Sequence, residues 1–178
     1  MGRRDKGLID LAGRPLLAHV IARLGPQVAA LLISANRNPE RYAEFEATIV
    51  RDVLPDYPGP LAGILSGLRA ARTPWLAVVP CDSPFVPRDL VQRLAVKLPS
   101  ATTIAVVEVA GELQPVFALI PTALHASLAA FLHSGQRKIT QWFAQHAMVA
   151  IAFEETADFL NINTEHEREL ALTRLADA

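Results

Sequence analysis

The chain has one cysteine, no marked excess of either charge and no long apolar run, and each shortage removes a class of answer. Cys81 alone cannot form an internal disulfide, which excludes a disulfide framework and fits a reducing compartment. A formal net charge of −1 leaves no basic face for a nucleic acid, so a small-molecule partner is favoured over a polymer. No apolar stretch is long enough to cross a bilayer, and Met1-Gly2-Arg3-Arg4-Asp5-Lys6 lacks the apolar centre of a secretion signal. These features point to the cytoplasm. The five histidines show no tight metal-ligand spacing, which argues against zinc. Neither repeats nor low-complexity stretches divide the chain, so its 178 residues read as one domain able to bury a full core.

The chain is organised around Trp75-Leu76-Ala77-Val78-Val79-Pro80-Cys81-Asp82-Ser83-Pro84-Phe85. An apolar run that stops at an aspartate reads as a buried parallel strand carrying a carboxylate to its C-terminal end, where open α/β sheets bind ligands. Two prolines stiffen the backbone on either side of Asp82, which suits holding a metal ion against phosphates. The alternative is that Asp82 caps a helix starting near Pro87.

Elsewhere strands and helices alternate. Pro15 opens a helix that Gly25-Pro26 ends, and residues 28–34 form an apolar strand. Residues 40–45 form a short helix, and 47–50 a second strand ending at Arg51-Asp52. A rigid loop over 53–60 leads into a helix over 61–68. Small residues flank that helix, allowing either a close ligand approach or tight packing on the sheet. Residues 87–98 form an amphipathic helix with Leu90, Val91, Leu94 and Val96 inward. Residues 102–109 and 114–120 pair through a tight connection as an antiparallel addition. Helices over 121–132 and 139–146, a strand over 148–153 and a terminal helix follow. Thr164 caps the terminal helix and Glu167 completes a capping box. The order predicts an α/β fold of three layers, α/β/α, doubly wound around a mostly parallel sheet. Ser34, Asn36, Asp52, Asp82 and the Asn161-Ile162-Asn163 loop then gather at the strand ends. With Lys6 they make an oxygen-rich set suited to Mg²⁺ and a nucleoside triphosphate.

Six segments carry a family resemblance: Met1-Gly2-x-x-Asp5-Lys6-Gly7-Leu8, Gly13-Arg14-Pro15-Leu16, Ser34-Ala35-Asn36-Arg37, Asp56-Tyr57-Pro58-Gly59-Pro60-Leu61-Ala62-Gly63, Pro80-Cys81-Asp82-Ser83-Pro84 and Asn161-Ile162-Asn163-Thr164. Along essentially its whole length the chain resembles the molybdenum cofactor guanylyltransferases, the MobA type of nucleotidyltransferase. The Tyr-Pro-Gly-Pro-Leu-Ala-Gly loop is the most specific piece. The resemblance implies a nucleotide-diphospho-sugar transferase-like fold and transfer of GMP from GTP to the terminal phosphate of molybdopterin carrying molybdenum, with release of pyrophosphate and dependence on Mg²⁺. It implies that Lys6 holds the triphosphate and that Asp82 binds Mg²⁺ with Asn163. Nucleotide contacts fall to Ser34, Asp52, Gly59, Pro60 and Leu61, Ser34 standing where the family often has asparagine. Asn161 and Asn163 would lie near the acceptor. Delivery proteins or molybdoenzyme chaperones are the further partners it suggests, with no nucleic acid and no membrane. Family members also open on an apolar strand and a Leu-Ala-Gly-Gly loop that precede the point where this sequence starts. The domain over 1–178 is therefore expected to be N-terminally incomplete, with two unpaired sheet edges.

Attack of one phosphate oxygen on the α-phosphorus of another anion needs alignment and cations rather than a nucleophilic side chain, so Cys81 reads as packing. The basic pair Arg137-Lys138 can face the acceptor phosphate or pterin, or form a solvated turn, and Gln114 can hydrogen-bond a pterin ring. Competing readings are a CTP-using or sugar-phosphate nucleotidyltransferase and a catalytically inactive nucleotide-binding relative.

Overall fold

Successive side chains of the largest sheet pack against opposite layers. The structure, a computed structural model, describes residues 5–52 and 59–176. The expected loop over 53–58, with Asp56, Tyr57 and Pro58, and residues 1–4 lie outside the described residues. The chain opens with a short antiparallel pair, β1 (Asp10–Leu11) and β2 (Arg14–Pro15), then α1 (Leu16–Leu24). β3 (Leu32–Ser34), the one-turn helix α2 (Pro39–Tyr42) and β4 (Thr48–Val50) follow, with β3 and β4 parallel. After α3 (Pro60–Ala70) and β5 (Trp75–Val78) come α4 (Leu90–Val96), β6 (Ile104–Val109) and β7 (Glu112–Pro121). The last elements are α5 (His125–His133), α6 (Ile139–Phe143), β8 (Met148–Phe153) and α7 (Glu165–Ala176).

A four-stranded sheet runs β5-β7-β6-β8. β6 and β8 are parallel, and β7 is antiparallel to both β5 and β6, so three of its strands point one way and β7 alone is reversed. Ile104 and Val106 of β6 pack with α3, α5 and α6 residues such as Leu65, Phe131 and Trp142. Ala105, Val107 and Val109 face Val20, Leu90 and Leu94 of α1 and α4. This period-two division makes the sheet the middle of three layers.

The β6–β7 hairpin turns at Ala110 and Gly111, both at positive φ (51° and 80°), the backbone a two-residue turn of this twist requires. The ladder then breaks between Val106 and Val107, opposite Pro115, whose nitrogen has no hydrogen to donate.

Several expectations need correction. The organising strand was expected to be buried and parallel. Its one described ladder is antiparallel, to β7, and Trp75 through Val78 are only half-buried. The physical reason is that no strand among the described residues pairs with its other edge. β3 covers only the end of the expected strand over 28–34, and Val96 is 72% exposed rather than inward, because α4 begins at Leu90 and ends at that residue.

Among the described residues the unpaired edges of β5 and β3 line one cleft of about 370 Å³. Leu17, Val20 and Ile21 of α1 and Gly63, Ile64 and Gly67 of α3 also line it. It is therefore an apolar slot with strand edges for sides and helices for faces.

Candidate functional site

The polar residues at the strand ends form two clusters. In the first, Asp82 follows β5 and is 4% exposed. Lys6 reaches it from solvent: Nζ donates to Asp82 Oδ2 at 3.1 Å and also to Asn163 Oδ1. Two oxygens far apart in sequence thus converge on one cationic nitrogen. Side-chain exposures of 52% for Lys6 and 6% for Asp82 show an ammonium entering a nearly buried carboxylate from outside.

The loop carrying Asn163 is fastened to the Asp82 turn. Ile162 N donates to Asp82 O at 2.9 Å, and the buried Ser83 hydroxyl donates to Asn161 Oδ1 at 2.6 Å. Glu167 Oε2 accepts the backbone N–H groups of Asn163 and Thr164, each at 2.7 Å. Thr164 Oγ1 accepts from Glu167 N at 3.2 Å, completing the expected capping box. Donation from Asn163 and Thr164 holds the Glu167 carboxyl below the usual range.

The Lys6 segment is docked as well. Tyr42 donates its hydroxyl to Asp5, and a Cβ on Gly7 would lie 3.3 Å from both Cys81 Cβ and Tyr42 Oη, so only glycine passes there without displacement. Burial and then the Asp5 carboxylate push the Tyr42 phenol well above its usual range. Burial, followed by the charge of Asp82, pushes the Cys81 thiol up to about 11, which leaves it protonated near neutrality and fits its reading as packing.

In the second cluster, Ser34 at the end of β3 and Asn36 just beyond hold Asp52 beyond β4. Ser34 Oγ donates to Asp52 Oδ1 at 3.2 Å, Asn36 Nδ2 donates to Oδ2 at 2.7 Å, and Asn36 Oδ1 accepts from Asp52 N at 2.9 Å. Both carboxylate oxygens are thereby oriented. Gly63 of α3 presses on this cluster, since a Cβ there would lie 2.8 Å from Ser34 Oγ. Ser34, Asp52, Gly59, Pro60 and Cys81, the residue before Asp82, line the cleft described above, so the second cluster opens onto it.

The other expected residues lie on α3, on β7 and between α5 and α6. Leu61 is 2% exposed and packs in the core under the sheet, leaving its side chain no open face. Gln114 pairs with Val107 in the hairpin. Arg137 donates to the carbonyl oxygens of Leu132 at 3.0 Å and Gln136 at 2.6 Å, closing the end of α5, and the exposed Lys138 precedes α6. Asn36 and Glu167, expected as a strand-end polar group and a capping-box partner, act as positioning groups, and Ser83 is a further one. The Thr164-x-x-Glu167 spacing was the signal for Glu167, whereas nothing in the sequence announced the Ser83–Asn161 bond.

The first cluster fits a divalent cation, because a cationic nitrogen already bonds to both Asp82 and Asn163. Among the described residues no three His, Cys, Asp or Glu side chains gather as a metal-holding group. An ion held by Asp82 and Asn163 would complete its shell with water and phosphate oxygens, the habit of Mg²⁺ rather than zinc.

Fold and site together are those of an α/β protein with a mixed sheet between helices and a cation and carboxylates at its strand ends. Residues 1–149 match a family described as the MobA-like NTP transferase domain. A molybdenum cofactor guanylyltransferase of Burkholderia ambifaria is 47% identical over 94% of this chain and 86% of its own length. One from Cupriavidus necator is 43% identical over 98% of this chain and 90% of its own. Molybdopterin-guanine dinucleotide biosynthesis protein A from Archaeoglobus fulgidus has the same fold, with a TM-score of 0.76 at 20% identity over 100% of this chain and 95% of that one. The chain belongs to the MobA-like NTP transferase family. No helix among the described residues is long and apolar enough to cross a membrane.

Proposed function

We propose that the chain transfers GMP from GTP to the terminal phosphate of the molybdopterin-bound molybdenum cofactor, releasing pyrophosphate. The convergence of Lys6, Asp82 and Asn163 beside the Ser34–Asn36–Asp52 cluster carries this reading. An acceptor phosphate oxygen forms the new bond to the α-phosphorus as the bond to the α–β bridging oxygen breaks, and pyrophosphate leaves with that electron pair. Mg²⁺ held by Asp82 and Asn163 would supply electrostatic stabilisation of phosphate charge. Lys6 neutralises charge on the departing pyrophosphate. Asp52, an oriented acceptor, meets the adjacent N–H donors of guanine, with Ser34, Gly59 and Pro60 around the nucleotide. Asn161, Asn163, Gln114, Arg137 and Lys138 form the acceptor side. No side chain becomes covalently attached.

The domain's sheet, in this reading, takes one further strand in the apolar slot between β3 and β5, since both edges and both covering helices are already in place. Incubation with GTP labelled at the α-phosphate, Mg²⁺ and the molybdopterin acceptor tests the function, with CTP in parallel. Label should pass to the acceptor from GTP, and Asp82→Asn should reduce transfer at least a thousandfold. Equal transfer from CTP, or full activity of Asp82→Asn, would overturn the assignment.

A further inference from the structure

We infer that the Lys6 ammonium holds the divalent-cation position of the free protein, so that metal binds strongly only when a nucleotide draws Lys6 away. The inference rests on the reading of Asp82 and Asn163 as metal ligands given above. Lys6 Nζ donates to Asp82 Oδ2 at 3.1 Å and to Asn163 Oδ1, the same two oxygens that reading assigns to the ion. A divalent ion of this kind sits about 2.0–2.1 Å from its oxygens, which leaves no space for an ammonium bonded to the same pair. Charge acts in the same direction. Asp82 is the acidic side chain bonded to Lys6 in this cluster, so a dication entering beside Lys6 would be offset by a single negative charge.

The competition is confined to the lysine side chain. The backbone around it is docked by the Tyr42–Asp5 hydrogen bond and by Gly7 against Cys81, and the Asn163 loop is fastened by Ile162, Ser83 and Glu167. With half of its side chain exposed, Lys6 can swing out without disturbing either anchor. A triphosphate supplies what the free protein lacks: anionic oxygens that complete the metal's shell and give the displaced ammonium a new partner. Metal and nucleotide therefore enter together. Lys6 has two successive roles, as a stand-in cation before binding and as a phosphate ligand afterwards.

The test is titration of the nucleotide-free protein with Mn²⁺, following free ion by electron paramagnetic resonance. Wild type, Lys6→Met, Lys6→Arg and the double variant Lys6→Met/Asp82→Asn are compared, with near-UV circular dichroism to verify folding, and wild type and Asp82→Asn are titrated again with GTP present. Lys6→Met should bind Mn²⁺ at least tenfold tighter than wild type even though it is expected to lose activity. Lys6→Arg, which keeps the charge, should remain weak, and the double variant should lose the gain. If Lys6→Met binds no tighter than wild type while Asp82→Asn removes the binding seen with GTP present, the competition is wrong and the metal assignment survives. If Asp82→Asn leaves Mn²⁺ binding unchanged with GTP present, the metal assignment itself fails.

Discussion

Substituting Gly63 with alanine probes whether α3 touches the nucleotide cluster as described. The new methyl carbon would lie 2.8 Å from Ser34 Oγ, 3.3 Å from Ser34 Cβ and 3.6 Å from Asp52 Oδ1. Alanine in a helix interior is favoured over glycine by about 1 kcal/mol. Against that, overpacking costs about 1–3 kcal/mol, and turning the serine hydroxyl away from Asp52 costs about 1 kcal/mol more. Gly63→Ala should therefore destabilise the protein by about 1–3 kcal/mol and weaken GTP binding. In a Ser34→Ala background the closest obstacle is gone. The same change should then be nearly neutral or stabilise by up to about 1 kcal/mol, through helix propensity. Urea unfolding of wild type, the two single variants and the double variant measures the coupling. If Gly63→Ala has the same effect in both backgrounds, within about 0.3 kcal/mol, the proposed contact between α3 and the cluster does not exist.

Glu167→Gln should lower the melting temperature near pH 7 by about 2 °C, the scale of a lost cap in a domain of this size. Because the Glu167 carboxyl is held below its ordinary value, its stabilisation is complete above the usual glutamate range and fades as pH falls through the lowered value. The variant should therefore lose less stability in acid than wild type does, and parallel acid profiles would refute this. His146 behaves as a base lowered by burial. Trp142 Nε1 donates to Ser127 Oγ at 3.2 Å, and Ser127 Oγ shares a hydrogen bond with His146 Nε2 at 2.9 Å, in surroundings whose burial favours the neutral ring. That arrangement is complete above about pH 6.5 and weakens as pH falls toward the lowered value. His146→Gln should flatten the decline in melting temperature between pH 7.5 and 5.5. For the apolar slot, adding an apolar strand segment ahead of residue 1 should slow hydrogen exchange of the Leu32–Ser34 and Trp75–Val78 amides at least tenfold. Unchanged exchange would show that the slot takes no strand.

Much of this arrangement was legible because local signals were strong. Pro15, Gly25-Pro26 and the Thr164–Glu167 box bracketed their helices, and the apolar runs ending in Ser34, Asp52 and Asp82 located the strand ends where the polar side chains meet. What failed depended on neighbours distant in sequence. The ladder direction of β5 is set by β7, more than thirty residues later, and pattern alone cannot choose between a parallel and an antiparallel partner for an apolar run. Val96 fits the apolar period but falls on the last residue of α4, where no layer covers it. Lys6 was read as a phosphate ligand. Its bonds to Asp82 and Asn163 needed coordinates, because they join the start of the chain to its middle and to its end.

The most direct test of the account is anomalous diffraction from crystals grown with Mn²⁺ and a non-hydrolysable GTP analogue. The account predicts a single strong metal peak between the Asp82 carboxylate, Asn163 Oδ1 and the triphosphate, with Lys6 on phosphate oxygens and the guanine beside Asp52. A metal bound away from Asp82, or a nucleotide that does not reach both Asp52 and Asp82, would contradict it.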